Sequence, residues 1–201
     1  MQKIIDYLVY RYQPETLILY GSYADGSYNA NSDLDAVLLA DVPEVFHDTS
    51  VVEGIQLDVF VHPTDSQLNP GDFPQLYHSK IVVDRQGRGK ALQEAVTEYI
   101  KNYPAKSTDS IREDVVWCEK MLARTQRGDA EGYFRWHWML CDSLEFYCNI
   151  RKRFYFGPKK TLLWMAETDP QAYEIYSSAL KNMDYNRLSA WVAYLKSQLD
   201  G

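Results

Sequence analysis

The spacing of apolar residues changes once along this chain, and the change divides it in two. Ile4, Ile5, Leu8 and Val9 recur at helical intervals and predict a helix over residues 2–12. Leu17, Ile18, Leu19 and Tyr20 then form a short continuous run, the mark of a buried strand, which ends at Gly21. A second largely apolar run spans Leu34 to Leu39. In the next segment Ile55, Leu57, Val59 and Val61 alternate with Gln56, Asp58 and Phe60, so a strand near 54–62 puts its aliphatic residues on one face and Asp58 on the other. Ile81-Val82-Val83 predicts a shorter strand, and the Pro-, Asp- and Ser-containing stretch from Pro63 to Pro74 a loop. From Gly89 onward strand signals disappear. Helices are expected at approximately 89–102, 108–127, 130–152, 160–167, 170–182 and 185–199, punctuated by Pro104, Gly128, Gly157-Pro158 and Pro170. The pattern is that of an α+β domain over residues 1–100 followed by an antiparallel helical bundle over 101–201.

Charge sharpens this division. The net charge is −7, but residues 1–100 carry 6 Lys and Arg against 15 Asp and Glu, whereas residues 101–201 carry 15 against 13. Such a balance offers no broad basic surface for a duplex or a long RNA, whose binding is dominated by phosphate neutralisation. A small, cationic acceptor or a protein fits better. Cys118, Cys141 and Cys148 are odd in number and lack C-x-x-C spacing, which suggests neither a disulfide framework nor a common zinc motif. Although His137, Cys141 and Cys148 can share a helix face, core packing is the better account of them. The chain shows no basic-then-apolar leader and no apolar run of membrane-span length, so a cytoplasmic location is expected.

The chemistry concentrates in Gly21 to Asp35, GSYADGSYNANSDLD. A Gly-Ser turn leaves the first strand and precedes two carboxylates, Asp33 and Asp35, which share one face because they are two apart at the mouth of a strand. Side by side they repel, at a cost to stability that a cation between them removes. A hard divalent ion such as Mg²⁺ suits all-oxygen ligands and keeps positions open for substrate phosphates. Asp58, on the polar side of a later strand, is the candidate third ligand. Two ions about 3.5–4 Å apart can activate an attacking oxygen and stabilise the leaving one in an in-line phosphoryl or nucleotidyl displacement.

The order strand, Gly21-Ser22, Ala24, Gly26, Ser32-Asp33-Leu34-Asp35, strand, Asp58 resembles the minimal nucleotidyltransferase core of the DNA polymerase beta superfamily over roughly the first half of the chain. The resemblance implies a mixed sheet with flanking helices, an NTP such as ATP as substrate, and two Mg²⁺ ions. Gly21, Ser22 and the turn's N–H groups would hold the β and γ phosphates, with Ser32 in the same nucleotide-binding segment. Asp33 and Asp35 would bind both ions, and Asp58 would complete the one that activates the acceptor hydroxyl.

In the second half, Asn149 to Lys160 carries five cations and no acid. Arg151, Lys152 and Arg153 read as a solvated helix end that complements the helix dipole. Lys159 and Lys160 follow an aromatic loop bent at Gly157-Pro158. This segment is similar to the helical C-terminal domains of some small-molecule nucleotidyltransferases, which implies contact with the triphosphate. Antibiotic nucleotidyltransferases, which the layout also resembles, can use a carboxylate as general base. Glu145 and Asp142 are the candidates for that role. The reading is transfer of AMP from ATP, with the nucleotide in a cleft between the domains, to a hydroxyl of an aminoglycoside- or lincosamide-like molecule, since the helical half is a full bundle able to build a pocket. The alternatives are a protein adenylyltransferase of toxin-antitoxin type and a non-catalytic nucleotide-binding module.

Overall fold

In the computed structural model, which describes residues 1–199, the chain forms two compact units that divide between Asn102 and Tyr103. The first holds α1 (Gln2–Tyr12), β1 (Thr16–Leu19), α2 (Gly21–Asp25), β2 (Leu34–Ala40), β3 (Phe46–Asp48), β4 (Val51–Val52), β5 (Ile55–Pro63), β6 (Lys80–Asp84) and α3 (Arg88–Lys101). Its strands form a mixed sheet in the order β3-β5-β2-β1-β6. The β2–β5 pair is parallel, and the other neighbours are antiparallel. The short β4 makes a hairpin with the start of β5.

Burial explains why some strands were legible and others were not. β1 is buried on both faces, so it reads as a continuous apolar run, and β2 nearly so. β5 has one covered face, with Leu57, Val59 and Val61 buried and Phe60 exposed, so it alternates. One face of the sheet packs Leu17, Leu19, Leu34, Ala36, Leu38, Leu57, Val59 and Val61 against Ile4 and Leu8 of α1. The other packs Ile18, Tyr20 and Val37 against Phe73, Leu76, Leu92 and Val96, from a 3₁₀ segment over 70–78 and from α3. The proline-containing stretch expected as loop is therefore partly a 3₁₀ layer over this second face.

β3 and β4 lie outside the strands expected from the apolar pattern. They are three and two residues long, and both Phe46 and His47 are exposed, so they leave no burial rhythm in the sequence. Their local signal is the turn. Glu53 and Gly54 both have positive φ, 52° and 80°, the backbone that a tight hairpin requires at its two central positions.

The second unit contains α4 (Thr108–Thr125), α5 (Ala130–Ile150), α6 (Pro158–Thr168), α7 (Pro170–Lys181) and α8 (Tyr185–Ser197). Four of the five helices start on a side-chain cap, Ser107, Asp129, Asp169 and Asp184, each accepting a first-turn N–H. The core gathers Cys118, Met139, Leu144, Tyr147, Cys148, Met165, Tyr176, Trp191 and Leu195, while Cys141 and Trp138 are exposed. Its polar atoms are paired. Trp191 Nε1 donates to Ser143 Oγ at 2.9 Å, and Tyr176 Oη donates to the Leu140 carbonyl at 2.7 Å. No helix among the described residues is long and apolar enough to cross a membrane.

Arg151 is not the solvated helix end expected from the charge run, whereas Lys152 and Arg153 are exposed as expected. Arg151 pairs with Asp169 and lies 3.8 Å over the Tyr147 ring, and Arg153 lies 4.0 Å over the Trp164 ring, so aromatic neighbours hold both guanidinium groups. Asp169 caps α7 and also accepts hydrogen bonds from Tyr194 Oη at 2.5 Å and Tyr147 Oη at 3.0 Å. Burial pushes its carboxyl up. The bonds from Tyr194, the Ala172 N–H and Tyr147, with the Arg151 charge, outweigh that and hold it below the usual aspartate range. A depressed folded-state pKa contributes stability that is fully present above the unfolded value of about 3.9 and is lost as pH falls through the folded value. Asp169→Asn is therefore expected to destabilise the helical unit by about 1.5–3 kcal/mol at pH 7. Urea melts of the two proteins should converge as the pH is lowered below 3.9. A gap that is the same at neutral and acid pH would show that the carboxylate charge is not what Asp169 contributes.

Candidate active site

The backbone register of the parallel pair places two of the three expected carboxylates side by side. Asp35 on β2 is the direct partner of Asp58 on β5, with Ala36 opposite Val59 and Val37 opposite Phe60. Parallel partners project to the same face, and neighbouring strands lie about 4.8 Å apart. Asp33 precedes β2 by one residue and is exposed. Tyr20, the residue after β1, lies within the electrostatic reach of all three. Its phenol is only 9% exposed, and burial followed by the negative charges of Asp58, Asp35 and Asp33 drives its pKa upward. Tyr20 therefore stays a neutral hydroxyl beside the carboxylates. In the sequence Tyr20 reads only as a strand residue, and its place as the last residue of the apolar run before Gly21 is the signal it leaves.

The Gly-Ser segment is more ordered than a flexible turn. Gly21 opens the short helix α2, with φ at +62°, a left-handed conformation that glycine adopts without strain. Its Cα faces the Asp35 carboxylate so closely that a Cβ would fall 2.1 Å from Asp35 Oδ2 and 2.9 Å from Asp35 Cγ. The loop that follows is stitched together locally. Asp25 Oδ1 accepts the Ser27 N–H, Asn29 Oδ1 accepts the Asn31 N–H, and Ser32 Oγ accepts the Asn29 N–H. Tyr28 stacks on the buried Tyr23 with centroids 4.6 Å apart. These contacts fix the path from α2 back to the mouth of β2, where Ser32 and Asp33 lie. Ser22 occupies the first turn of α2 and is partly buried.

Asp58 has a partner that the sequence reading missed. His47 Nε2 lies 2.6 Å from Asp58 Oδ1. An ionised carboxylate only accepts, so Nε2 carries the hydrogen. The imidazole also stacks on Phe60, with centroids 4.3 Å apart and planes within 1° of parallel. The signal lay in the hairpin. Once Glu53-Gly54 is read as a turn, β3 falls beside β5 and His47 comes opposite Phe60, two residues from Asp58.

Asp33, Asp35 and Asp58 are hard oxygen donors at one end of one sheet face, the chemistry that a divalent cation such as Mg²⁺ requires. Asp35 is turned toward Gly21 and Asp58 toward His47. Among the described residues no three His, Cys, Asp or Glu side chains converge on a single point. Asp35 and Asp58 are register partners on neighbouring parallel strands, and the His47 bond to Asp58 Oδ1 leaves Asp58 Oδ2 available. The donor set therefore fits the cation. Farther along the same side of β5, His62 lines a cavity of about 420 Å³ with Val45, Ser66, Asn69 and Phe73. A larger groove of about 640 Å³ lies between the second 3₁₀ turn, Pro74–His78, and α3, but none of the three carboxylates lines it.

Glu145, Lys159 and Lys160 belong to the helical unit. Glu145 is exposed on α5, and Asp142 is partly buried on the preceding turn of the same helix. Lys159 and Lys160 occupy the first turn of α6, directly after Gly157-Pro158, and the Lys160 ammonium lies 5.5 Å from the Phe156 ring centroid.

Residues 1–137 match the family model described as a nucleotidyltransferase domain. No curated protein matches the chain. Among solved structures, it is similar to a nucleotidyltransferase-like protein from Exiguobacterium sibiricum 255-15, at 13% identity and a TM-score of 0.42 over 97% of this chain and 71% of that one.

Proposed function

Since this chain belongs to the nucleotidyltransferase domain family, we propose that it transfers AMP from ATP to a hydroxyl group of a small molecule and releases pyrophosphate. The observation that carries this reading is the pairing of Asp35 with Asp58 on adjacent parallel strands, with Asp33 before the first and Gly21 packed against Asp35. In the proposed reaction the acceptor oxygen bonds to the α-phosphorus as the bond from that phosphorus to the β-bridging oxygen breaks. The acceptor proton passes to a base, and pyrophosphate leaves with the electron pair.

Asp33, Asp35 and Asp58 would hold two Mg²⁺ ions, which when bound lower the acceptor hydroxyl's pKa and offset charge on the leaving group. The chain's own residues do the rest. Ser22 and the N–H groups around Gly21 hold the phosphates, and the stitched loop from Asp25 to Ser32 keeps that cradle at a fixed distance from Asp33. Tyr20, held neutral, keeps an uncharged hydroxyl within the field of the three carboxylates. The acidic balance of residues 1–100 supports a cationic acceptor of aminoglycoside or lincosamide type.

Mass action provides the test. A ligand that binds only the native state at a hundred times its Kd stabilises by about 2.7 kcal/mol. Mg²⁺ with a non-hydrolysable ATP analogue should therefore raise the melting temperature by several degrees, more than either component alone. Pyrophosphate should be released from ATP only when an acceptor is present. The absence of any shift with every nucleoside triphosphate, with or without Mg²⁺, would overturn the assignment.

A further inference from the structure

We propose that His47 is a positioning residue that locks the Asp58 carboxylate and thereby sets the affinity of the site for a divalent cation. The inference rests on the reading of Asp58 as a cation ligand. Three constraints hold the imidazole in place. The β3–β5 ladder pairs Phe46 with Val61, His47 with Phe60 and Asp48 with Val59, which fixes the strand that carries it. The ring lies flat on Phe60 at 4.3 Å, which fixes its plane. The next residue, Asp48, is anchored through both oxygens, Oδ2 accepting from Tyr12 Oη at 2.7 Å and Oδ1 from the Ser50 N–H at 2.9 Å. His47 Nε2 is thereby presented to Asp58 Oδ1 at 2.6 Å by a framework that does not depend on Asp58.

Magnitudes separate this role from a merely structural one. The two side chains are 41% and 35% exposed, and a pair so open to solvent contributes little to folding stability. Orientation is another matter. A free aspartate samples several χ1 wells and a broad χ2, and a cation must freeze both before it binds. With Oδ1 held by His47, that ordering is already done, and Oδ2 is the oxygen left to meet the ion. Hydrogen-bond partners of metal ligands typically change affinity or activity by about 10- to 100-fold when removed.

The test is Mn²⁺ binding to the full chain by electron paramagnetic resonance, without nucleotide, together with kcat and KM for ATP. Circular dichroism would confirm that each variant is folded. His47→Leu removes the donor. His47→Gln places an amide Nε2–H near the imidazole Nε2 and restores it, while removing any ability to take up a proton. The expected result is Mn²⁺ affinity about 10- to 100-fold weaker in His47→Leu and close to wild type in His47→Gln, with kcat following the same order. Equal Mn²⁺ affinity in wild type and both variants would overturn the positioning role. So would a His47→Gln protein that binds Mn²⁺ normally but loses kcat as fully as His47→Leu, because the imidazole would then be acting on a proton rather than on Asp58. Wild-type protein that binds no more Mn²⁺ than Asp58→Asn would overturn the cation reading of Asp58 itself, and the inference with it.

Discussion

Asp35→Asn is expected to abolish transfer while leaving the fold intact. The substitution preserves shape and hydrogen-bonding size but removes a full ligand charge from the position where β2 and β5 bring Asp35 and Asp58 into register. Charge stabilisation by a bound divalent ion is worth several kcal/mol in the transition state. A loss of about 4 kcal/mol corresponds to a rate lower by about a thousandfold, and at least that is expected for Asp35→Asn and Asp33→Asn. Stability should move the other way. Asp35 and Asp58 are like charges on directly paired positions, so removing one charge relieves repulsion and should hold or raise the melting temperature in the absence of metal. Pyrophosphate release from ATP with a trial acceptor, measured beside a thermal melt, reads both effects. Full activity in either variant would remove the proposal that these carboxylates hold a catalytic cation.

The parts of this site visible in the sequence are those whose burial leaves a rhythm. β1 and β2 are covered on both faces and β5 on one, and so Asp35 and Asp58 could be placed on strands, with Asp58 on the polar side, from apolar spacing alone. The helices of the second unit were legible for the same reason, since one stripe of each faces a core built around Tyr147, Tyr176 and Trp191. His47 was invisible because β3 is an exposed three-residue edge strand, positioned by a turn and by pairing with β5 rather than by burial. Tyr20 was seen as an apolar residue, and its polar role depends on neighbours distant in sequence. Arg151 misled for a related reason. A run of cations looks solvated until Asp169 and the Tyr147 ring are known to hold one of them.

Gly21→Ala is expected to damage fold and catalysis together, and a second glycine in the same segment isolates the cause. At φ +62° any residue with a Cβ is strained, at a cost of about 1–3 kcal/mol. Here the Cβ would also meet Asp35, and not only at the tip of its side chain. Oδ2 would lie 2.1 Å away and Cγ 2.9 Å, so the carboxylate must turn away from Gly21 or α2 must shift away from β2. Either response separates the phosphate cradle from the carboxylates, and misplacement of reacting groups by about 1 Å can cost on the order of a hundredfold in rate. Gly26, at the other end of α2, has φ +82° but nothing within 4 Å of an added Cβ. Gly26→Ala therefore carries the backbone strain without the collision. Urea unfolding should show both variants destabilised, with Gly21→Ala the more so, while transfer assays show a drop of about a hundredfold or more in Gly21→Ala and near-normal turnover in Gly26→Ala. Equal turnover in the two variants would mean that the close approach of Gly21 to Asp35 has no part in catalysis, and that glycine at position 21 serves only the turn.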